Sequence, residues 1–224
     1  MYRIFILEDD MKLAEIMGEN LQKYNYTYHI CEDFSSVLEE MNRYDPHLVL
    51  LDINLPMYDG FYWCSQIRNV SNIPIIFISS RDSKMDQIMA LNMGGDDFIQ
   101  KPFSMEILLS KINSLLRRSY SYSDNSLSII EIEGKILDLN KHKLIVNDIE
   151  VPLTNNEFEM LYLLFSNPST PVKRETIIKR LWHEESFVDD NTLTVNINRL
   201  RKKLKEYGIE DFIQTVKGIG YEIS

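Results

Sequence analysis

The sequence predicts an α/β domain with a parallel sheet, followed by a smaller α+β domain. Short apolar runs alternate with amphipathic segments over residues 1–118, which is typical of β-strands that alternate with helices. A polar, serine-rich stretch at residues 119–128 then interrupts the pattern and predicts a linker. Residues 129–224 follow a different pattern, in which short strands precede three helices and a final hairpin.

Five strand–helix units account for the first half of the chain. Apolar runs that end in polar residues predict the strands, and apolar positions at helical spacing predict the helices. Right-handed crossovers would place these helices on both faces of the sheet. The predicted strands are 2–7, 26–30, 48–52, 75–79 and 98–99, and the predicted helices are 12–24, 34–43, 61–70, 84–93 and 105–118.

The second half begins with four short strand-like pieces that are separated by turn residues. Thr154 and Glu157 then have the spacing of a capping box, which predicts the start of a helix. Lys217, Gly218 and Gly220 lie between two strand-like stretches and predict a hairpin with a glycine-rich tip. The predicted strands are 129–132, 135–139, 143–146 and 150–153, and the helices are 154–166, 174–182 and 191–205.

Composition limits the classes of protein to which the chain can belong. No apolar run approaches the roughly 20 residues that a membrane span requires, and the N-terminus has no basic segment typical of a signal peptide. Two cysteines, Cys31 and Cys64, form neither a disulfide framework nor a metal pattern. We therefore expect a cytoplasmic protein without a membrane partner. The net charge of -10 argues against a generally basic surface, although a local basic cluster follows Arg199.

Charged residues follow three of the predicted buried strands. Glu8 and Asp9 follow the first, Asp52 ends the third, and Lys101 follows the fifth. The carboxyl ends of parallel strands meet at one edge of the sheet, where α/β proteins place their sites. Two unit charges about 4 Å apart interact by about 4 kcal/mol at an effective dielectric near 20. The acids therefore need a cation, and their hard oxygen ligands favour Mg²⁺.

This pocket has the chemistry of a phosphoryl acceptor. Asp52 can act as the nucleophile, Lys101 can neutralise a phosphoryl oxygen, and Ser79 at the end of the fourth strand can donate a hydrogen bond. A single acid after a strand is more often a turn or helix-cap residue, and a single lysine is more often a solvated charge. The combination at three strand ends favours the phosphoacceptor interpretation.

The third helix of the second half has the residues of a DNA-reading element. Its buried stripe is predicted to contain Leu193, Ile197, Leu200 and Leu204. Arginine and asparagine read base edges in the major groove, while threonine and lysine also hold phosphates. A solvated basic helix on a core stripe would have the same pattern. The residues on the remaining faces are Thr192, Thr194, Asn196, Asn198, Arg199, Arg201 and Lys202.

The segments FILEDD, LVLLDINLPMYDG, IPIIFISSRD and MGGDDFIQKPF make residues 1–118 resemble a response-regulator receiver domain, which has the flavodoxin-like (βα)5 fold. The resemblance implies that a sensor histidine kinase phosphorylates Asp52. It also implies switch roles for Ser79 and Phe98, although the second position is usually tyrosine. The implied Mg²⁺ ligands are Glu8, Asp9, Asp52 and the backbone carbonyl of Asn54.

The segments LTNNEFEML, TVNINRLRKKL and IQTVKGIGYEI, with the leading four-strand sheet, make residues 129–224 resemble the winged-helix effector domain of the OmpR/PhoB family. The resemblance implies base contacts by Asn196 and Arg199, and contact of Val195 with a thymine methyl. Lys217 would lie on the wing, near the minor groove. The family often has histidine at 196 and arginine at 217. The implied phosphate contacts are Thr192, Asn198, Arg201 and Lys202.

Together the two resemblances predict a transcription factor that phosphorylation switches. The phosphorylated receiver would form a homodimer and bind direct-repeat promoter sites in double-stranded DNA. Asp97 and Lys111 match one ion pair across the family's dimer, whereas Gln87 and Ile107 fall where another charged pair is usual. The loop 182–190 corresponds to a segment that contacts RNA polymerase in some relatives. The segment MGGDDF resembles regulators that respond to envelope stress and peptide antibiotics in Gram-positive bacteria.

Two other functions are compatible with parts of the pattern. An aspartyl phosphatase would use the same nucleophile, but it needs a second carboxylate two residues later, and position 54 is asparagine. The sequence therefore predicts a protein that is not an enzyme. A regulator of the same fold that works without phosphorylation would usually lack part of the acidic pocket, which this chain keeps.

Overall fold

The computed structural model describes residues 1–81, 83–120, 129–182 and 190–223. The chain divides into two compact units, Met1–Arg117 and Arg118–Ser224. Most of the predicted linker at 119–128, and most of the loop predicted at 182–190, lie outside the described residues. Within the described residues, no helix has the length and apolar character needed to cross a membrane.

Over the residues that the structure describes, the first unit alternates five strands with five helices, as predicted. Its sheet is parallel and has the order β2-β1-β3-β4-β5. The chain therefore adds β2 on one side of β1 and then crosses back to add β3, β4 and β5 on the other side. A crevice forms at such a reversal, at the carboxyl ends of the strands. The elements are β1 (Arg3–Leu7), α1 (Met11–Lys23), β2 (Thr27–Ile30), α2 (Val37–Tyr44), β3 (Leu48–Asp52), α3 (Gly60–Val70), β4 (Ile75–Ser79), α4 (Lys84–Asn92), β5 (Asp97–Gln100) and α5 (Met105–Tyr120).

The centre of this sheet is buried on both faces. Every residue of β3 and β4 is buried, which explains why their sequences are continuous apolar runs without alternation. The strands are covered on one face by α1 and α5, whose apolar stripes include Met17, Leu21, Ile112 and Leu115. A polar residue that ends such a strand therefore emerges directly from a rigid core.

Two acids that follow the strands begin helices. The side chain of Asp10 accepts a hydrogen bond from the Leu13 amide at 3.1 Å and caps α1. Asp59 caps α3 in the same way, through the Tyr62 amide at 2.9 Å. Each cap satisfies a helix amide that would otherwise have no partner, and each fixes the path of the chain as it leaves the sheet edge.

Gly60, the first residue of α3, packs directly on the backbone of Asp52. A Cβ at this position would lie 2.2 Å from the Asp52 carbonyl oxygen, and the Gly60 amide donates to the carbonyl of Ile53 at 2.9 Å. Only glycine permits this close approach. The start of α3 therefore holds the end of β3 in place.

A buried ion pair connects α3 to the opposite end of the sheet. Arg68 Nη2 lies 2.9 Å from Asp96 Oδ2, and the two side chains are 12% and 1% exposed. The same guanidinium donates to the carbonyls of Ile73 and Gly94 at 2.6 and 2.9 Å, and Asp96 also accepts from the Ile75 amide at 2.9 Å. One arginine thus joins the segments that lead into β4 and β5.

The described part of the second unit contains two antiparallel sheets and three helices. The first sheet has the order β6-β7-β8-β9, and the second has the order β10-β12-β11. Leu193, Ile197, Leu200 and Leu204 are buried, as predicted. The elements are β6 (Ile129–Ile132), β7 (Lys135–Asp138), β8 (Lys143–Val146), β9 (Ile149–Val151), α6 (Asn155–Phe165), β10 (Val172–Lys173), α7 (Arg174–Trp182), α8 (Asp190–Glu206), β11 (Ile213–Val216) and β12 (Gly220–Ile223).

The predicted capping box at the start of α6 is present, with Thr154 and Glu157 in reciprocal hydrogen bonds. The strand β10 was not predicted, because two residues are too few to show a period. It becomes a strand by pairing with β12, where Val172 lies opposite Tyr221 and Lys173 opposite Gly220. A Cβ on Gly220 would lie 1.9 Å from the Val172 carbonyl, so this pairing requires glycine.

Replacing Arg68 with alanine should lower the free energy of unfolding of the first unit by about 3–5 kcal/mol, because Asp96 would be left as a buried charge. Denaturant-dependent amide hydrogen exchange in β4 and β5 measures this loss. Asp45→Asn is the matched control: it breaks the exposed Arg3–Asp45 pair, whose carboxylate is 85% exposed, and should cost less than about 1 kcal/mol. Equal losses in the two variants would contradict the prediction.

His142 should make the second unit sensitive to acid. Its ring stacks on Phe158 with centroids 4.0 Å apart, and burial lowers its pKa to about 4, against the opposing charge of Asp138. The unfolded chain binds this proton near pH 6.5 and the folded chain only near pH 4. Stability is therefore complete above pH 6.5 and decreases as the pH falls to 4, by about 2 kcal/mol for this partly exposed ring.

An NMR titration of the His142 ring protons measures this pKa, and His142→Gln assigns the resonance. The variant should also lose less stability between pH 6.5 and 4 than the natural sequence does. A midpoint above pH 6 would contradict the prediction.

Candidate functional site: an acidic pocket and a basic helix

The carboxyl ends of β1, β3 and β5 bring the predicted pocket residues together. Carboxylate oxygens of Glu8, Asp9 and Asp52 lie within 4.8 Å of one another. Glu8 and Asp52 are buried, whereas Asp9 is exposed at the rim. Residues from distant parts of the sequence therefore form one cluster, as the strand ends predicted.

Lys101 joins the two buried acids. Its Nζ lies 2.7 Å from the Glu8 carboxylate and 2.5 Å from Asp52 Oδ2, and its side chain is only 17% exposed. Burial by itself would lower the pKa of Lys101, but the hydrogen bonds that it donates to Asp52 and Glu8 outweigh burial and raise the pKa. Burial raises the pKa of Glu8 to about 7, with Asp52 adding to the effect and the hydrogen bond from Lys101 opposing it.

The donor set of the pocket fits a divalent cation. Three carboxylates within reach of one ion carry more negative charge than Lys101 neutralises, and their hard oxygen atoms are the ligands that Mg²⁺ prefers. The backbone amide of Asn54 donates to Asp52 Oδ1 at 2.8 Å and fixes the orientation of that carboxylate. The role of the Asn54 carbonyl as a metal ligand stays a prediction.

The two predicted switch residues lie on the neighbouring strands. Ser79 ends β4 and is fully buried, one residue beyond the register partner of Asp52. Its Oγ accepts from the Arg81 amide at 3.1 Å, and its carbonyl accepts from the Lys101 amide at 2.8 Å. Phe98 in β5 is 3% exposed, so its ring already occupies a buried position.

Asp97 and Lys111, predicted to pair across a dimer, form an ion pair within one chain. Lys111 Nζ lies 2.8 Å from Asp97 Oδ1, and the two side chains are 18% and 6% exposed. A pair across a dimer would first have to break this bond, and the predicted pairing between two copies stays a prediction. Gln87 is buried and Ile107 is half exposed.

Helix α8 presents some of the predicted DNA contacts at the surface. Asn198, Arg199 and Lys202 are exposed, and Val195 is half-buried. Lys217 is exposed at the tip between β11 and β12. These five residues have accessible side chains, and their contacts with DNA stay predictions.

Three other predicted contacts are placed differently. Thr192 is fully buried, and Asn196 is 8% exposed with its Nδ2 donating to the Thr192 carbonyl at 2.9 Å, so neither side chain is presented to DNA in this structure. Arg201 donates to the Ile213 carbonyl and to Thr215 Oγ1, at 2.9 and 2.8 Å, and so braces α8 against β11. The packed face of α8 is therefore wider than the stripe of Leu193, Ile197, Leu200 and Leu204, because Thr192, Asn196 and Arg201 beside the stripe also contact neighbouring groups.

The sequence analysis did not predict the roles of two arginines, Arg174 and Arg81, which contact residues of α8 and of the acidic pocket. Arg174 donates to Tyr221 Oη and to Thr194 Oγ1, both at 2.6 Å, and pairs with Asp190 at 2.8 Å, which ties α8 to the wing strand β12. Arg81 reaches the side chain of Asn54 at 2.9 Å. The only sequence signal for Arg81 is its position two residues after Ser79, since its contact is with a residue 27 positions away.

Comparisons with known proteins agree with both units. The family model described as "Response regulator receiver domain" matches residues 4–113, and the one described as "Transcriptional regulatory protein, C terminal" matches residues 148–223. The uncharacterised transcriptional regulatory protein YvcP of Bacillus subtilis is 44% identical over 226 residues, which cover 99% of this chain and 95% of that protein.

The response regulator protein GraR of Staphylococcus aureus strain MRSA252 is 41% identical over 219 residues, which cover 98% of each chain. The solved structure of DrrB, described as a Thermotoga maritima OmpR/PhoB homologue, has a TM-score of 0.52 and 24% identity, and the match covers 100% of this chain and 99% of that one. This structure supports the fold. The chain therefore belongs to the two-component response regulators that join a receiver domain to a C-terminal DNA-binding domain of transcriptional regulatory proteins.

Proposed function

We propose that Asp52 accepts a phosphoryl group from a sensor histidine kinase in the cytoplasm, and that this modification promotes receiver dimerisation and promoter binding. The observation that carries the proposal is the environment of Asp52. Its carboxylate is 3% exposed, lies at the carboxyl edge of the sheet, and is held between Lys101 Nζ and the Asn54 amide. A carboxylate fixed in this way is oriented for attack at phosphorus.

The transfer is a displacement at phosphorus. A carboxylate oxygen of Asp52 forms the new P–O bond while the N–P bond of a phosphohistidine breaks, and the imidazole keeps the electron pair and takes a proton from solvent. Lys101, 2.5 Å from Asp52, neutralises charge on the transferred group. Glu8, Asp9, Asp52 and the Asn54 carbonyl would hold Mg²⁺, which when bound supplies further neutralisation of phosphoryl oxygens.

Storage of the phosphoryl group suits a regulator better than turnover. A phosphatase would need a general acid or base two residues after Asp52, and the amide of Asn54 does not transfer protons at neutral pH.

We assign Ser79 and Phe98 to the conformational change that follows phosphorylation of Asp52. The Ser79 hydroxyl would turn from the Arg81 amide toward a phosphoryl oxygen, and the buried state of Phe98 would be favoured with it.

Dimerisation would use α4, β5 and α5, with β5 as the edge strand of the sheet. Asp97 and Lys111, paired within one chain, would exchange partners across the interface, while Gln87 and Ile107 add no charge to it. Two linked DNA-binding domains would then occupy direct repeats with a raised effective concentration.

In the complex with DNA, we propose that Arg199 forms hydrogen bonds with base edges and that Val195 contacts a thymine methyl. Asn198 and Lys202 would hold phosphates, and Lys217 would lie near the minor groove.

The loop between α7 and α8 would contact RNA polymerase. The segment MGGDDF, residues 93–98, leads us to propose a signal from peptide antibiotics or envelope stress.

Replacing Asp52 with asparagine should abolish phosphorylation by a small phosphodonor with Mg²⁺, because the amide is not a nucleophile toward phosphorus. A phosphate-affinity gel measures the modified fraction, and size-exclusion chromatography measures the dimer. Asp10→Asn is the control: it removes a neighbouring acid, while asparagine still caps α1. Phosphate incorporation into the Asp52→Asn protein would overturn the assignment.

Two variants of α8 should affect DNA binding in different ways. Lys202→Ala should weaken binding to all sequences and reduce the log–log salt slope by about one, because one phosphate contact is lost. Arg199→Ala should instead cost about 1–3 kcal/mol at the preferred site and relax sequence preference. Fluorescence anisotropy at several salt concentrations measures both effects.

Lys205→Ala serves as the control for charge, because Lys205 is exposed at the end of the same helix and pairs with Glu210 at 3.3 Å. It should leave both the slope and the sequence preference nearly unchanged. If Arg199→Ala weakens binding equally at every sequence, Arg199 is a phosphate contact and its assignment to base reading is wrong.

A further inference from the structure

Arg174, the first residue of α7, joins α8 to the wing, which is the hairpin of β11 and β12. Its backbone amide donates to the Ile219 carbonyl at the wing tip at 3.3 Å, and its Nη1 donates to Tyr221 Oη in β12 at 2.6 Å. Its Nη2 donates to Thr194 Oγ1 in α8 at 2.6 Å, and its Nε lies 2.8 Å from Asp190 Oδ1. One residue therefore contacts both of the elements that we propose to bind DNA.

The ring of Tyr221 lies close to two guanidinium groups. The central carbon of Arg174 is 5.1 Å from the centroid of this ring, and that of Arg201 is 5.7 Å from it. Both distances suit a cation–π contact, which is stronger where water is excluded, and Tyr221 is only 2% exposed. Arg201 also donates to the Ile213 carbonyl and to Thr215 Oγ1 in β11. The two arginines and Tyr221 thus connect α7 and α8 to both strands of the wing.

The α8 residues in these contacts share one face of the helix. With about 100° per residue, Asp190, Thr194 and Arg201 lie within about 40° of one another around the helix axis. On one side this face adjoins the buried stripe that contains Ile197, and on the other side it adjoins the exposed face that contains Lys202. The stripe anchors α8 to the core, so the wing is attached directly beside the face that we propose to meet DNA.

We propose that Arg174 is a positioning residue for DNA binding, which holds the wing in a fixed orientation to α8 so that Lys202 and Lys217 contact one duplex together. This inference rests on the proposed contacts of Lys202 and Lys217 with DNA. Arg174 is not itself a DNA contact in this arrangement, because its side chain is 23% exposed and all three of its guanidinium nitrogens are bonded within the protein.

The physical reason is the cost of ordering the wing. Without the Arg174 guanidinium, β12 still pairs with β10 and β11, but its side-chain bonds to the start of α8 are lost. The wing then has several orientations relative to α8, of which only some place Lys217 at the duplex. Most of the favourable free energy of the Lys217 contact would be offset by selecting those orientations.

The test compares the effect of Lys217→Ala in the natural sequence and in Arg174→Ala. It uses the full chain without a phosphodonor, and a fluorescein-labelled duplex that the natural protein selects from a random library. Anisotropy at several salt concentrations measures the affinity. Lys217→Ala should reduce the log–log salt slope of the natural sequence by about one, because one phosphate contact is lost.

Arg174→Ala should by itself reduce the slope by about one and weaken binding at low salt by roughly tenfold, as the loss of one charge-assisted contact does. Adding Lys217→Ala to it should then change neither quantity further, because the two residues act through one contact. Lys202→Ala should reduce the slope by about one in both backgrounds, since the buried stripe still holds α8 in place.

Arg180→Ala is the matched control, because Arg180 belongs to the same helix but has its partner elsewhere. Its Nε lies 2.8 Å from Glu159 Oε2 in α6, and the Glu159 side chain is fully buried. This variant should lower thermal stability, because it leaves a buried charge without its partner. Lys217→Ala should nevertheless keep its full effect on the salt slope in the Arg180→Ala background.

Two milder variants apply the same comparison without removing the side chain. Tyr221→Phe keeps the ring but lacks the hydroxyl that accepts from Arg174, and Arg174→Lys keeps the charge without the planar fork of donors. Each should diminish the effect of Lys217→Ala. Should Arg174→Ala not fold, an undiminished effect in both of these variants would overturn the inference.

The inference is also wrong if Lys217→Ala has an equal effect in the natural sequence and in Arg174→Ala. It is wrong as well if Arg180→Ala removes the Lys217 effect as completely as Arg174→Ala, because a general loss of stability would then be the cause.

The failures of the two proposals are distinguishable. If neither Lys202→Ala nor Lys217→Ala changes the slope of the natural sequence, the proposed DNA contacts fail. If both change it and the Lys217 effect does not depend on Arg174, the inference about Arg174 fails alone. If only Lys202→Ala changes it, the assignment of Lys217 and this inference are both wrong.

Discussion

The contact of Lys101 with Glu8 and Asp52 is the interaction on which the pocket depends. Two buried carboxylates at the end of one sheet repel each other strongly in a medium of low dielectric. A single ammonium between them, 2.7 and 2.5 Å away, offsets part of that repulsion and still leaves net negative charge. The pocket is therefore stable enough to fold and remains electrostatically prepared for a further cation.

The rigidity of this arrangement comes from the sheet beneath it. Asp52 ends a strand that is buried on both faces, and Gly60 packs so closely on its backbone that no side chain fits between them. At the other end of the sheet, the buried pair of Arg68 and Asp96 fixes the entry to the strands. Asp52 is thus held by the sheet beneath it, and the loops around it contain Asn54 and Arg81, which are hydrogen-bonded to each other.

Much of the fold and of the acidic cluster could be predicted, because both depend on residue types at regular spacing. Continuous apolar runs are typical of strands buried on both faces, and the topology of such strands brings Glu8, Asp52 and Lys101 to one edge. Side-chain partners could not be predicted in the same way. Thr192 and Arg201 have suitable chemistry for DNA, yet one is buried and the other braces the wing, which depends on the packing of α8 against its neighbours.

The sequence by itself determined the order of the elements, the parallel sheet and the residues that share its carboxyl edge, since local periodicity and strand ends require no knowledge of distant contacts. Only the tertiary structure decided which charges neutralise one another. Asp97 and Lys111 pair within one chain, and Arg81, although partly exposed, donates to Asn54. These choices depend on distances of a few ångströms between segments far apart in sequence, and such distances exist only after the chain has packed.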